Sequence, residues 1–291
     1  MDILYLTFPL AILIVFAMAI GLGVYLKRRF RLTWRLYIIG AAVFLLSQVF
    51  HIPFNIVVGL LMERGTIPSP SPEYTILSQI VFLGLSAGVF EEGARYLMYR
   101  FWTRDARSWA KGLMVGAGHG GGGEAMIFVG LILVVNFLVM VAYRNSDLTG
   151  MVSPEQLGLL ERQVEAYWSA SWYDSLLPAL ERGFAIILHL SLSVLVLQVF
   201  TRRQIYWLGL AILWHAFANA VALYVMMTWG IYHSEAALGI IALASLGIIF
   251  ALRTPEAVEN QPADAPPPPP QPLSRVEIEE DTDRLDASRY S

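Results

Sequence analysis

The chain has no cysteine among its 291 residues, and only 15% of them are charged. The first absence excludes disulfides, thiolate metal ligands and a cysteine nucleophile, so any metal site must be built from histidine and carboxylate. The second excludes an ordinary soluble domain: with 56% hydrophobic residues and a mean hydropathy of +0.57, the composition is that of an integral membrane protein. Gly84-Leu85-Ser86-Ala87-Gly88 has the Gly-x-Ser-x-Gly spacing but lies inside a continuous apolar run, not at a strand-to-helix turn, so it is not expected to present a serine nucleophile of that kind. The net charge of −3 gives no footprint for nucleic acid. Residues 1–25 lack both a basic start and a small-residue cleavage site, and are expected to be a retained first span.

What is present is a series of apolar runs, each about 20 residues or longer, the length that an α-helix needs to cross a bilayer. Seven spans are expected, at about 3–26, 34–61, 76–102, 109–142, 178–200, 205–229 and 235–252. The fold class is therefore an all-α polytopic bundle. A transmembrane barrel would show ~10-residue alternating segments instead. The fourth run is overlong, with glycines from Gly116 to Gly123 in its first half, and is expected to be tilted or broken.

Basic residues set the expected orientation. Lys27, Arg28, Arg29, Arg31 and Arg35 fill the first connection, Arg100, Arg104, Arg107 and Lys111 the third, and Arg202, Arg203 and Arg253 lie at the remaining ends on that side. The positive-inside rule makes this side cytoplasmic, with the N-terminus outside and the C-terminus inside. The connection from Arg144 to Asp174 is expected to be partly helical, its Trp168, Trp172 and Tyr173 touching the interface. The organisation expected is a transmembrane domain over 1–253 with its core at about 76–225, then a Pro-rich acidic tail at 254–291 whose composition cannot bury a core. The setting expected is the cell (inner) membrane of a bacterium.

Ionisable residues within such runs are costly, and in membrane proteins they usually bind, relay or cut something. Glu91, Glu92, Arg95, His119, Glu124, His189 and His215 are the functional candidates on this ground. At a rise of ~1.5 Å per residue, the Glu91–Glu92 pair, His119, His189 and His215 all fall roughly 12–20 Å from the same face, so four helices deliver a carboxylate or imidazole to one layer. Either glutamate can pair with Arg95 one turn on, and His215 shares a helix face with Asn219, as His189 does with Ser193. The glycines around His119 leave its backbone open to close approach by another chain. Glu124 reads as a ligand or an orienting group. Glu181 and Arg182 read as an interfacial pair, His51 as structural or pore-lining, and His233 as solvated.

In order, Glu91-Glu92-Gly93-Ala94-Arg95-Tyr96, Gly118-His119-Gly120-Gly121 with Glu124, His189, and His215-Ala216-Phe217-Ala218-Asn219 resemble the YhfC family of intramembrane metalloproteases, grouped with the CAAX prenyl proteases, bacteriocin-processing enzymes and PrsW-type proteases. The resemblance covers about residues 76–225. It implies that Glu91 or Glu92 activates a water for attack on a peptide carbonyl, with Arg95 holding the pair. It also implies that His119, His215 and His189 ligate zinc, or that His215 and Asn219 stabilise the oxyanion. Zinc held by His119, His189, His215 and Glu124 and a glutamate-driven, metal-free site are both chemically sound. The substrate implied is a membrane-embedded or membrane-tethered peptide, entering from the cytoplasmic side or laterally. An ion-coupled transporter would also place His, Glu and a broken helix at mid-membrane, although no second matching half is present. A non-catalytic scaffold gripping a partner helix is the other alternative.

Overall fold

A computed structural model describes residues 2–146 and 153–254, and among these every regular element is helical. The order is α1 (Leu4–Phe30), α2 (Trp34–Glu63), α3 (Thr75–Phe101), α4 (Trp109–Gly116), a π-helical stretch (Ala117–Gly130), α5 (Leu131–Arg144), α6 (Pro154–Trp168), α7 (Leu177–Thr201), α8 (Tyr206–Trp229) and α9 (Ile231–Ala251). Seven helical runs are long and apolar enough to cross a membrane, with α4, the π stretch and α5 forming one 36-residue run. The exposed leucines, isoleucines and phenylalanines on the outer faces, such as Leu243 and Ile240, are what a lipid-facing surface requires. The expected tail lies outside the described residues.

Most of α7 is buried from Leu188 to Val199, so this helix is the centre about which the others pack. The site is positioned by two glycine-mediated crossings, because in lipid small residues let helices approach closely enough for dispersion contacts to hold them. On α3, Gly84 and Gly88 lie one turn apart; a Cβ on either would stand 2.7 Å from the Ala216 carbonyl oxygen or 2.6 Å from that of Ile212. This seam sets α3 against α8 so that Glu91 and Glu92, the next turn along, arrive beside His215. On the fourth run, Gly118 meets the backbone of Tyr37 on α2, while Gly116 and Gly120 meet His189 and its neighbours on α7. The glycine run therefore serves two helices at once, with His119 between them.

The fourth run is continuous rather than broken. Its middle is wound as a π-helix, whose wider turn re-aims the residues that follow it and is frequent at functional sites. Pro53 is accommodated inside α2 without ending it. At the basic end the bundle is sealed by packed side chains: Tyr99, Met114, Val115 and Val196 have no exposed surface, and the Trp109 indole N–H donates to the Ile249 carbonyl at 2.9 Å. The Tyr99 hydroxyl meets Ser193 Oγ at 2.8 Å, and Ser193 in turn donates to the Gly112 carbonyl at 2.8 Å, tying α3, α7 and α4 together. Tyr99→Phe is expected to lower stability by about 0.5–1.5 kcal/mol, the usual net worth of one buried hydrogen bond, as measured by thermal unfolding in detergent. The connection after α5 carries α6, which begins with a capping box between Ser153 and Gln156, and its Trp168 indole donates to the Met140 carbonyl at 3.1 Å.

Candidate active site

The four histidine- and glutamate-bearing spans bring their polar side chains together. Glu91 and Glu92 are adjacent on α3 and point to different partners. Glu92 is fully buried, pairs with Arg95, and has its Oε1 2.9 Å from His215 Nδ1. Since a carboxylate paired to a guanidinium accepts, the ring proton of His215 sits on Nδ1, leaving the Nε2 lone pair free. Glu91 accepts from Gln48 Nε2 at 3.1 Å through one oxygen, and its other oxygen lies 3.2 Å from His119 Nε2.

His189 lies between the two motifs. Its Nδ1 is 3.2 Å from an Arg95 Nη2, and its Nε2 is 2.6 Å from Glu124 Oε2. A guanidinium only donates, so Nδ1 accepts and the ring proton sits on Nε2, close to Glu124 Oε2 but not aligned for a hydrogen bond with it. The imidazole of His189 lies between its neighbours, tilted 34° to His119 with ring centroids 5.1 Å apart and edge-on to His215 at 5.4 Å. His119 has no exposed surface, rests its ring edge-on against Phe44, and its Nδ1 is buried with no hydrogen-bond partner among the described residues.

Arg182, expected at the interface, and Gln48, which the sequence does not single out, both belong to the assembly. Arg182 is buried rather than interfacial: it reaches Glu124 Oε1 at 2.5 Å and also pairs with Glu181. Its position near the start of α7 suggests the membrane surface, but the π-helical stretch turns Glu124 toward α7, and a half-buried carboxylate at that depth is stabilised by a cation. Gln48 holds Glu91, and the same side chain contacts His51 Nδ1 at 3.2 Å. His51 also meets Ser86 and Asn55, so it extends the network as a structural member. The only signal for Gln48 in the sequence was an amide inside a span. His233 is exposed, with Nδ1 2.8 Å from the Trp229 carbonyl.

Glu91, Glu124, Arg182, His189, His215 and Asn219 face a cavity of about 100 Å³, room for a few water molecules. Of the adjacent pair, Glu91 lines it and Glu92 does not. Among the described residues, one atom from each of Glu91, His189 and His215 lies within 4.8 Å of the others, a separation at which a single ion could be held. Two imidazoles and a carboxylate form a donor set of the kind that holds catalytic zinc with an open position. His119 and Glu124 stand beside this group, each touching one of its members.

The family model for the YhfC intramembrane metalloprotease matches residues 14–242. The membrane protein YhfC of Bacillus subtilis (strain 168) is 31% identical over 245 residues, covering 82% of this chain and 92% of the relative. No solved structure matches. The bundle of seven apolar helices and the extent of these matches make the chain an integral membrane protein that belongs to the YhfC intramembrane metalloprotease family.

Proposed function

We propose that the protein hydrolyses peptide bonds of membrane-embedded or membrane-tethered substrates, with the reaction centred on the cavity between α3, α7 and α8. The observation that carries this reading is the convergence of Glu91, His189 and His215 at a small polar cavity inside an otherwise apolar bundle. Zinc fits this donor set. A bound zinc ion would polarise the scissile carbonyl and make a water nucleophilic at neutral pH.

The roles of the chain's own residues follow from their contacts. Glu91 touches the cavity and is held by Gln48 and His119, so it is the glutamate that meets water. Glu92 acts one layer back: it fixes the tautomer of His215, so that the free Nε2 is available for ligation, and neutralises Arg95. Arg95 holds the other side of His189. Asn219, which lines the cavity and lies one turn from His215 on α8, offers an amide donor to the developing oxyanion. The residues that carry the chemistry would then lie in the core at about 76–225, with α2 supplying Gln48 and α1 and α9 completing the bundle, and the basic connections would face the cytoplasm.

One observation favours a second reading of the same site. Both nitrogens of His189 are engaged, by Arg95 and by Glu124, so ligation by His189 requires one of these contacts to be exchanged. Without that exchange Glu91 serves as general base on a water, and His215 and Asn219 serve the oxyanion.

The test is cleavage of membrane-tethered peptide reporters in proteoliposomes. The expected result is cleavage that stops on treatment with a zinc chelator and returns on adding zinc. Cleavage indifferent to chelation would move the account to the metal-free reading, and no cleavage of any membrane peptide by folded protein would overturn the proteolytic one.

A further inference from the structure

We infer that the site is reached from the end of the bundle opposite the basic connections, through a charged shaft between α7, α8 and α9 whose inner wall is Glu124 and Arg182. This deepens the proposed hydrolase: it names the side from which water and the scissile segment arrive, and it runs against the cytoplasmic or lateral entry expected from the sequence.

From the start of α7 inward, exposure falls toward the site. The Glu181 side chain is 41% exposed, Glu124 18%, Arg182 10%, His189 3% and Glu92 0%. His189 lies eight residues further along α7 than Glu181, a depth of about 12 Å. The same cavity that touches His215 and Asn219 continues past Ala222 on α8 and Leu238 on α9 to Glu181, toward the end where α7 and α9 begin. At that end Glu235, one turn before Leu238, is buried, with its Oε2 unpartnered among the described residues. Such a group is tolerated where water can reach it and is costly in a dry core.

The other direction is shut. Beyond Arg95, toward the arginine-rich connections, the interior is filled by Met98, Tyr99, Met114, Val196 and Leu197, each 2% exposed or less. A lateral route is also unsupported. The larger groove between α2 and α3, lined by Val43, Phe50, Phe90, Gly93 and Phe101, is almost wholly apolar and includes none of Glu91, His119, His189 or His215 among its walls. The Arg182 guanidinium, clasped by Glu124 and Glu181, spans the shaft. It is the side chain whose movement would widen the passage.

The absence of cysteine makes the route directly measurable, because any thiol introduced is unique. Single-cysteine variants Ala222→Cys and Leu238→Cys report the shaft, Ile240→Cys the lipid face of α9 at similar depth, His233→Cys the proposed entry end and Arg104→Cys the basic end. Each is exposed to a membrane-impermeant cationic methanethiosulfonate from one side of sealed vesicles at a time. The thiolate, which needs water, is the reactive form. The expected result is that both shaft variants react from the side that labels His233→Cys, about tenfold faster or more than Ile240→Cys, and are protected from the side that labels Arg104→Cys. Reaction only from the Arg104 side, or reaction no faster than Ile240→Cys from either side, would overturn the inference. The readout needs no proteolysis, so a failed shaft in an active protease and an open shaft in an inactive protein are distinguishable.

Discussion

Glu91→Gln should reduce cleavage by about 10²- to 10⁴-fold, the range general acid–base groups contribute, while leaving the folded protein intact. Gln is isosteric, can keep a contact with Gln48 and His119, and relieves the bundle of an acid, so the loss would be chemical. The metal reading predicts the same direction, since a neutral amide is a poor zinc ligand. Glu92→Gln is expected to behave differently, although the two residues are adjacent and the sequence treats them alike. Glu92 is fully buried against Arg95 and His215, and its neutralisation leaves an uncompensated guanidinium in the core, a defect of about 3–5 kcal/mol. Thermal unfolding measured beside cleavage separates the two: Glu91→Gln should be stable and inactive, Glu92→Gln both unstable and inactive. A stable, active Glu91→Gln would remove Glu91 from the chemistry.

Gly118→Ala should abolish recovery of folded, monodisperse protein. The added Cβ would collide with the Tyr37 carbonyl oxygen, and Tyr37 cannot yield locally because its hydroxyl donates to the Ala19 carbonyl at 3.0 Å and the contact is with its backbone. Relief requires α2 to move as a body. The cost is thereby pushed beyond the ~1–3 kcal/mol of ordinary overpacking. Gly209→Ala on α8, where a Cβ meets nothing within 4 Å, is the matched comparison and should be neutral or stabilising by up to about 1 kcal/mol. Size-exclusion profiles and unfolding temperatures of the two variants check this pair. Equal behaviour would mean that the α2 crossing is not the close backbone contact described.

The sequence was most informative where a single physical rule governs. Continuous apolar length separated by basic clusters gave the seven spans within a few residues, because bilayer thickness leaves little choice. Depth was legible too: a helix converts residue number into height, and the shared layer of Glu91, His119, His189 and His215 follows from that conversion. Azimuth was not. Which of Glu91 and Glu92 meets the cavity depends on the α3–α8 crossing at Gly84 and Gly88, a contact between segments more than a hundred residues apart.

Arg182 escaped for the related reason that its partner, Glu124, is brought round by π-helical winding of the glycine-bearing run, and spacing read at 3.6 residues per turn cannot show that. The glycine run announces close approach in the sequence itself. That it faces two helices, with Gly118 on α2 and Gly116 and Gly120 on α7, required the tertiary structure. The direction of access is not legible in the sequence, because distance from a face says nothing about what fills the space between.

The most direct test of the central claim, that Glu91, His189 and His215 hold a metal ion for hydrolysis, is elemental analysis of the detergent-purified protein beside a His189→Ala, His215→Ala double variant. The account predicts close to one zinc per chain in the wild-type protein and loss of that zinc in a double variant that remains folded. Wild-type protein that cleaves a membrane peptide with no metal bound, or zinc retained undiminished in the double variant, would contradict it.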